Sequence, residues 1–194
     1  MDGARRILIK GLFGLAVLGP GVAGCSRRQP LSASPLGNDR LRPPGAVDED
    51  DFTGRCIRCG RCMEVCPYHC IVPLDARAGL HAGTPLIDAR ANPCHLCMEC
   101  VDVCPTGALQ PVSREETRMG LAVIDTSICA AHQPDTLCRT CYSVCPLQNV
   151  AIELEDFIRP RVIDAACTGC GVCVQACPVE GASGRKAISV EPGR

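Results

Sequence analysis

Cysteine is the most conspicuous reactive residue type in this sequence, because 18 of its 194 residues are cysteines. Sixteen of them fall into four runs of four, and a proline follows each run directly. Three runs have the spacing C-x2-C-x2-C-x3-C-P, whereas the third has eight residues between its first two cysteines. In chain order the runs are Cys56, Cys59, Cys62, Cys66; Cys94, Cys97, Cys100, Cys104; Cys129, Cys138, Cys141, Cys145; and Cys167, Cys170, Cys173, Cys177.

This spacing predicts a ligand loop for a [4Fe–4S] cluster. Three thiolates two residues apart lie on one tight loop, and in two-cluster proteins the fourth cysteine binds the other cluster. Gly60, Gly169 and Gly171 lie where such a loop must turn. The proline after the fourth cysteine fixes φ and redirects the chain. The sequence therefore predicts four [4Fe–4S] clusters, with the sixteen cysteines of the runs as ligands.

Disulfides and zinc are the alternatives for so many cysteines. A disulfide framework has no reason to repeat one spacing four times, and zinc sites favour separated C-x2-C pairs, often with histidine. In the long-looped third run Cys129 is the natural first ligand. Cys70 is surplus to four sets of four, so we interpret it as a small buried thiol. No run lacks a cysteine, so the four histidines are not needed as ligands.

Short apolar segments flank the runs and predict an α+β fold of two bacterial-ferredoxin-like halves, tandem or interleaved. The gaps between runs contain turn residues, and each could hold a hairpin. We expect one half at residues 52–115 and the other at 116–194. Adjacent runs could share clusters, but the Gly-rich similarity of runs one and four favours nested pairing, one with four and two with three. The segments are Leu86–Asp88, Val123–Asp125 and Val162–Asp164 before runs, and Ala108–Leu109, Ala151–Ile152 and Ala187–Ile188 after them.

Composition narrows the function further. The chain has no Trp, two Tyr and three Phe, so its apolar core is small and we expect the cluster-free protein to be largely unfolded. A net charge of −1 argues against a nucleic-acid partner. The sequence contains no phosphate loop, dinucleotide fingerprint or H-E-x-x-H motif, so we predict an electron carrier without a catalytic site of its own.

The amino terminus reads as an export signal and a linker. Residues 1–24 have paired Arg5 and Arg6 ahead of a short apolar stretch, as in a twin-arginine signal, which suits a protein folded around its cofactor before export. Val22–Cys25 resembles a lipobox, with Cys25 as the lipidated residue; simple cleavage after Ala23 is the alternative. Residues 25–51 are rich in proline and predict a linker, either a tether or a surface wrap, and not a domain.

Residues 42–190 resemble the ferredoxin-type NapG/MauM family of periplasmic nitrate reduction and methylamine utilisation. The resemblance implies an exported, periplasmic carrier of four [4Fe–4S] clusters that works beside a membrane quinol-oxidising iron–sulfur protein. Electrons would pass to a periplasmic acceptor, a cytochrome or a reductase. The matching segments are Arg42–Ala46, Cys56–Gly60, Gly83–Pro85 and the long-looped third run.

Two other functions stay open. The chain could be the iron–sulfur subunit of a multi-subunit oxidoreductase, or a maturation factor of a methylamine-utilisation system. An export signal on the chain itself favours the independent carrier, since such subunits often travel on the signal of their catalytic partner. A lipid at Cys25 would add association with the membrane.

Overall fold

The computed structural model describes residues 40–193, so the predicted export signal, Cys25 and most of the predicted linker lie outside the described residues. Its elements are short and mixed. No helix in the described range is long and apolar enough to cross a membrane. The helices are α1 Glu49–Arg55, α2 Arg61–Glu64, α3 Glu99–Asp102, α4 Thr140–Ser143 and α5 Val172–Ala176, with 3-10 turns at Ala76–His81 and Ala130–His132. The strands are β1 Ile71–Pro73, β2 Pro85–Ile87, β3 Gly120–Ile124, β4 Ile152–Glu155, β5 Arg159–Val162 and β6 Ile188–Pro192.

Each half of the molecule has a hairpin between its two cysteine runs. It also has an outer closure, in which the segment before the first of the two runs pairs with the segment after the second. The hairpins β1–β2 and β4–β5 lie between the first and second and between the third and fourth cysteine runs. In the second half β3 precedes run three and pairs with β6, which follows run four. In the first half the same closure is reduced to one bridge between Ala46 and Leu109. Each closure therefore encloses two adjacent runs.

The predicted strands are present in part. Strands β2, β3 and β5 contain predicted residues ahead of runs two, three and four, and β4 and β6 begin at Ile152 and Ile188. The segment Ala108–Leu109 makes only the isolated bridge, so its prediction as a strand was too long. Within the described residues no hairpin lies between runs two and three, because β3 pairs with distant β6 instead. A local hairpin signal cannot reveal such a long-range pairing.

The buried core is small and made largely of cysteines. Phe52 and Leu96 are completely buried in the first half, where cysteines from three of the runs accompany them. The second half has two smaller clusters, centred on Ile152 and on Ala187. Helices of four or five residues are not stable alone, so the fold depends on what holds these cysteines together.

The end of the predicted linker is part of the fold. The side chain of Arg42, 6% exposed, donates to Glu49, to the Thr84 hydroxyl at 2.9 Å and to the Pro85 carbonyl at 2.7 Å. Its guanidinium also lies 4.6 Å from the centre of the Phe52 ring. Residues 40–51 are therefore not a free tether; they pack against the first half. Because this segment is rich in proline and has no apolar periodicity, the sequence did not predict that an ion pair holds it against the rest of the fold.

Burial of Glu49 opposes its ionisation, but the hydrogen bond and charge of Arg42, with those of Arg40, outweigh it and lower the pKa of this carboxyl. The same carboxylate lies 3.2 Å from the His81 ring. Glu49 thus joins the segment before the first run to the turn at Ala76–His81, and fixes the start of the first half.

Candidate metal centre

The sixteen cysteines of the runs form four groups of four thiols, each with three from one run and one from a neighbouring run. The thiols of three groups, which we call sites A, B and C, each line a cavity, and the fourth group is site D. In site D, Cys145 lies close to Cys167 and Cys170, because charge on Cys145 raises the pKa of Cys170 and charge on Cys167 raises the pKa of Cys145. Site A comprises Cys56, Cys59, Cys62 and Cys104; site B Cys94, Cys97, Cys100 and Cys66; site C Cys129, Cys138, Cys141 and Cys177; and site D Cys167, Cys170, Cys173 and Cys145.

The pairing of runs differs from the expectation. Run one exchanges its last cysteine with run two, and run three with run four, so the favoured nested pairing is wrong. The physical reason is the outer closure of each half, which brings the segment before one run to the segment after the next. The glycines shared by runs one and four serve the shape of their loops, with φ of 80° at Gly60 and 83° at Gly171.

Left-handed residues shape three of the four loops. The third residue of the run and the residue after its second cysteine have positive φ: Arg58 and Gly60, Leu96 and Met98, Gly169 and Gly171. Run two adopts this conformation without glycine, at a cost of about 1–2 kcal/mol per residue. Run three does not adopt it after Cys138, where Arg139 has a φ of −141°. The first two cysteines of run three must therefore be positioned by a different local backbone structure.

Backbone N–H groups point at several of the sulfurs. Leu96 N donates to Cys94 Sγ at 3.4 Å, Leu109 N to Cys104 Sγ at 3.4 Å, and Ala122 N to Cys167 Sγ at 3.5 Å. Such donors stabilise negative charge on sulfur and tune a bound iron–sulfur cluster.

The thiols are crowded where they are buried. Burial, and then the neighbouring Cys94 and Cys97, raise the pKa of Cys100 to about 12. Burial also raises the pKa of Cys141 to about 12. Four thiolates in so small a buried space repel one another unless cations lie between them. Soft thiolates prefer iron–sulfur clusters, zinc or Cu(I), so the donor sets fit a cluster.

All seventeen cysteines in the described residues are free thiols. The cluster hypothesis requires free thiols, whereas a disulfide framework would join them in pairs. Among residues 40–193 no group of three or more His, Cys, Asp or Glu side chains is placed to hold a single metal ion. A four-iron cube is bound at its corners, so its ligand sulfurs lie around a space and do not meet at one point.

Cys70 lies in the wall of site B, which the sequence did not reveal. It is 3% exposed, and its Sγ is 3.5 Å from Cys66 Sγ. It is buried, as expected, but it is a fifth thiol at the site and not an isolated core residue. Its separation of four residues from Cys66 was the available signal. His95, stacked on Tyr68 with ring centroids 4.0 Å apart, lines the same cavity.

The four sites follow one another in the order A, B, D, C. Cys62 of site A and Cys100 of site B are close enough for charge on one to raise the pKa of the other, as are Cys141 and Cys173 in sites C and D. Between the halves, Cys94 N donates to Cys170 O at 2.9 Å. A Cβ at Gly171 would lie 2.4 Å from the Cβ of Ala89, so glycine permits this close approach.

Comparison with known proteins identifies the family of this chain. Two family models, each described as a 4Fe-4S dicluster domain, match residues 55–108 and 121–178. Ferredoxin-type protein NapG of Escherichia coli is 39% identical over 209 residues, which cover 98% of this chain and 86% of that protein. Methylamine utilization ferredoxin-type protein MauM of Methylorubrum extorquens is 38% identical over 173 residues, covering 83% and 76%. MauM of Paracoccus denitrificans is 34% identical over 172 residues, covering 83% and 75%. The chain belongs to the NapG/MauM family of ferredoxin-type iron–sulfur proteins.

Proposed function

We propose that this protein is an exported electron carrier with one [4Fe–4S] cluster at each of sites A to D. The observation that carries the proposal is the grouping of sixteen thiols into four sets of four, each tied between two adjacent runs. The two dicluster matches support the same number. Bound clusters supply one-electron redox chemistry; the chain holds the thiols, excludes water and donates N–H groups to the sulfurs.

The row of sites gives the carrier two ends. Sites B and D lie in the interior of the row, while A and C are outermost. Large apolar side chains are exposed near both ends: Ile57 and Leu80 beside site A, and Leu137, next to Cys138, beside site C. Two partners can therefore contact the protein at different places, which is what a relay requires. The chain needs no catalytic residues for this role.

We further propose that electrons come from a membrane quinol-oxidising iron–sulfur protein and leave to a periplasmic cytochrome or reductase. This pathway is what the resemblance to the nitrate-reduction branch of the family implies. Export by the signal at residues 1–24 and a lipid at Cys25 would keep the carrier beside the membrane. The two functional halves would be residues 52–115 and 116–194, joined at the contact between Cys94 and Cys170.

A second candidate function follows from the MauM relatives, which are named for methylamine utilization. In that setting the carrier would deliver electrons during the maturation of an enzyme. Deletion of the gene separates the two roles: a maturation factor leaves the target's cofactor unfinished, whereas a respiratory carrier leaves it complete but unreduced. A permanent iron–sulfur subunit would instead purify only with a large catalytic partner.

The test is a redox titration of anaerobically purified protein, with iron and sulfide analysis and EPR spin counting. We expect four spins at full reduction and potentials accessible to quinol. Fewer spins would contradict four clusters, and site C would be the first in doubt because of its long loop. Potentials near the low end of the known range, roughly −700 to +450 mV, would contradict the quinol pathway.

A further inference from the structure

Site A is the site most open to solvent. Of the seventeen cysteines in residues 40–193, Cys59 alone is exposed. It lies at the tip of the first ligand loop, at the end of the row of sites. Electron transfer between proteins weakens steeply with distance, so a partner must approach a site whose sulfur reaches the surface. The loop at Cys59 meets that condition better than any other part of the described structure.

Two large apolar side chains are exposed beside this cysteine. Ile57 is 62% exposed and Leu80 is 82% exposed. Arg58 joins their two segments, because its Nε donates to the Ala82 carbonyl at 2.8 Å and its Nη2 to the Leu80 carbonyl at 2.6 Å. The ligand loop and the turn at Ala76–His81 are therefore fixed to each other. Ordered, exposed apolar residues around a site are typical of a surface that binds another protein.

The same loop is locally basic. Arg55, Arg58 and Arg61 are exposed within seven residues, although the whole chain has a net charge of −1. Asp51 pairs with Arg55 at 3.0 Å, and Glu64 is exposed in the same short helix as Arg61. Within the described residues no ion pair involves Arg58 or Arg61. Their charges remain available to a partner.

We propose that this surface, defined by Ile57, Leu80, Arg55, Arg58 and Arg61 around Cys59, docks a redox protein whose own cofactor is surrounded by acidic residues. The inference rests on the proposed electron-carrier function. The arginines would steer and orient the acidic partner, and the apolar pair would exclude water at the centre of the contact. A lipid surface could use the same charges, but it offers no fixed cofactor opposite Cys59, so we favour the protein.

The test uses the full cluster-loaded protein and two redox probes of opposite charge: an acidic blue-copper protein and a basic c-type cytochrome. We would measure equilibrium binding with both partners oxidised, and the electron-transfer rate after reduction, over a range of salt concentrations. The variants are Arg61→Glu and Leu80→Ser. Their matched controls at the other end of the row are Arg139→Glu and Leu137→Ser, which are also exposed and lie on either side of Cys138.

We expect Arg61→Glu to weaken binding of the acidic probe about tenfold at low salt and to flatten its salt dependence. Binding of the basic probe should not weaken. Leu80→Ser should weaken binding of the acidic probe at every salt concentration without changing the salt dependence, and both controls should bind the acidic probe as wild type does. Equal losses at the two ends, or none at either, would overturn the proposal.

Vesicles containing anionic phospholipid supply a further arm. If Arg61→Glu abolishes vesicle binding but leaves the acidic probe unaffected, the surface faces a membrane and the proposal is overturned. The proposed function fails separately: protein that takes up no electrons from dithionite is not a carrier. If the protein takes up and transfers electrons normally, and the variants bind the acidic probe as wild type does, only the proposal of the docking surface is overturned.

Discussion

The two halves of the molecule hold equivalent sets of thiols by different means. In the first half both ligand loops use paired left-handed residues, and the outer closure is one bridge supported by the buried Arg42–Glu49 ion pair. In the second half the closure is the five-residue pairing of β3 with β6. Run three positions Cys129 through a turn after Asp125, whose carbonyl accepts from Cys129 N at 2.9 Å. The ligand positions are therefore constrained more strictly than the loops that supply them.

Removal of the clusters should have the largest effect, because it removes what holds both halves together. We expect chelation under reducing conditions to abolish cooperative unfolding, since neither half has a large apolar core. Circular dichroism during thermal unfolding measures this. If the β3–β6 pairing lets the second half keep a cooperative transition without iron, the two halves differ in their dependence on metal, and our expectation is wrong for that half.

Loss of the Arg42 side chain should have the second largest effect on stability, and it should destabilise the first half alone. Arg42→Ala leaves the half-buried Glu49 with Arg40 and His81 as its remaining partners, so we expect a loss of about 2 kcal/mol in the free energy of unfolding. The matched control is Arg161→Ala, which breaks the exposed pair with Glu153 in the second half and should cost about 0–1 kcal/mol. Denaturant unfolding of the cluster-loaded proteins measures both. Equal costs would show that the ion pair does not close the first half.

The ion pair also predicts a pH dependence. The folded pKa of Glu49 is lowered from 4.5, so its contribution to stability is complete above that pH and is lost as the pH falls through the folded value. Wild-type protein should therefore lose more stability than Arg42→Ala as the pH falls below about 4.5. Parallel losses in the two proteins would contradict this assignment. Unfolding curves at a series of acidic pH values, recorded on cluster-loaded samples, provide the measurement.

The smallest expected effect is at Cys70, a feature of the first half with no counterpart among the described cysteines of the second. An S–H donor to Cys66 stabilises negative charge on that sulfur, so Cys70→Ala should lower the potential of one cluster. A hydrogen bond of about 1 kcal/mol corresponds to about 40 mV. Cys70→Ser should retain most of the potential. Both variants should keep four spins; loss of one would show that Cys70 is a ligand.

Sequence reasoning went furthest where the chemistry of the ligands dictates the spacing. The four cysteine runs predicted the family, the mixed α and β elements and the three thiols that each run places together, including Cys129 across its long loop. It failed for the pairing of runs, because that depends on β3 meeting β6, nearly 70 residues away. It did not show how residues 40–51 attach to the first half, since a single buried Arg42 has no periodic pattern, and it missed that Cys70 faces site B.

The pairing of adjacent runs also bears on how the protein is synthesised. When the chain has emerged from the ribosome only as far as Gln110, it already contains every thiol of sites A and B. It also contains the closure of the first half, in which Gln110 N donates to Gly45 O at 2.7 Å. Nested pairing would have left all four sites incomplete until Cys141, and the site of run one incomplete until Cys177. Cofactor insertion can therefore begin on a nascent chain and proceed one half at a time.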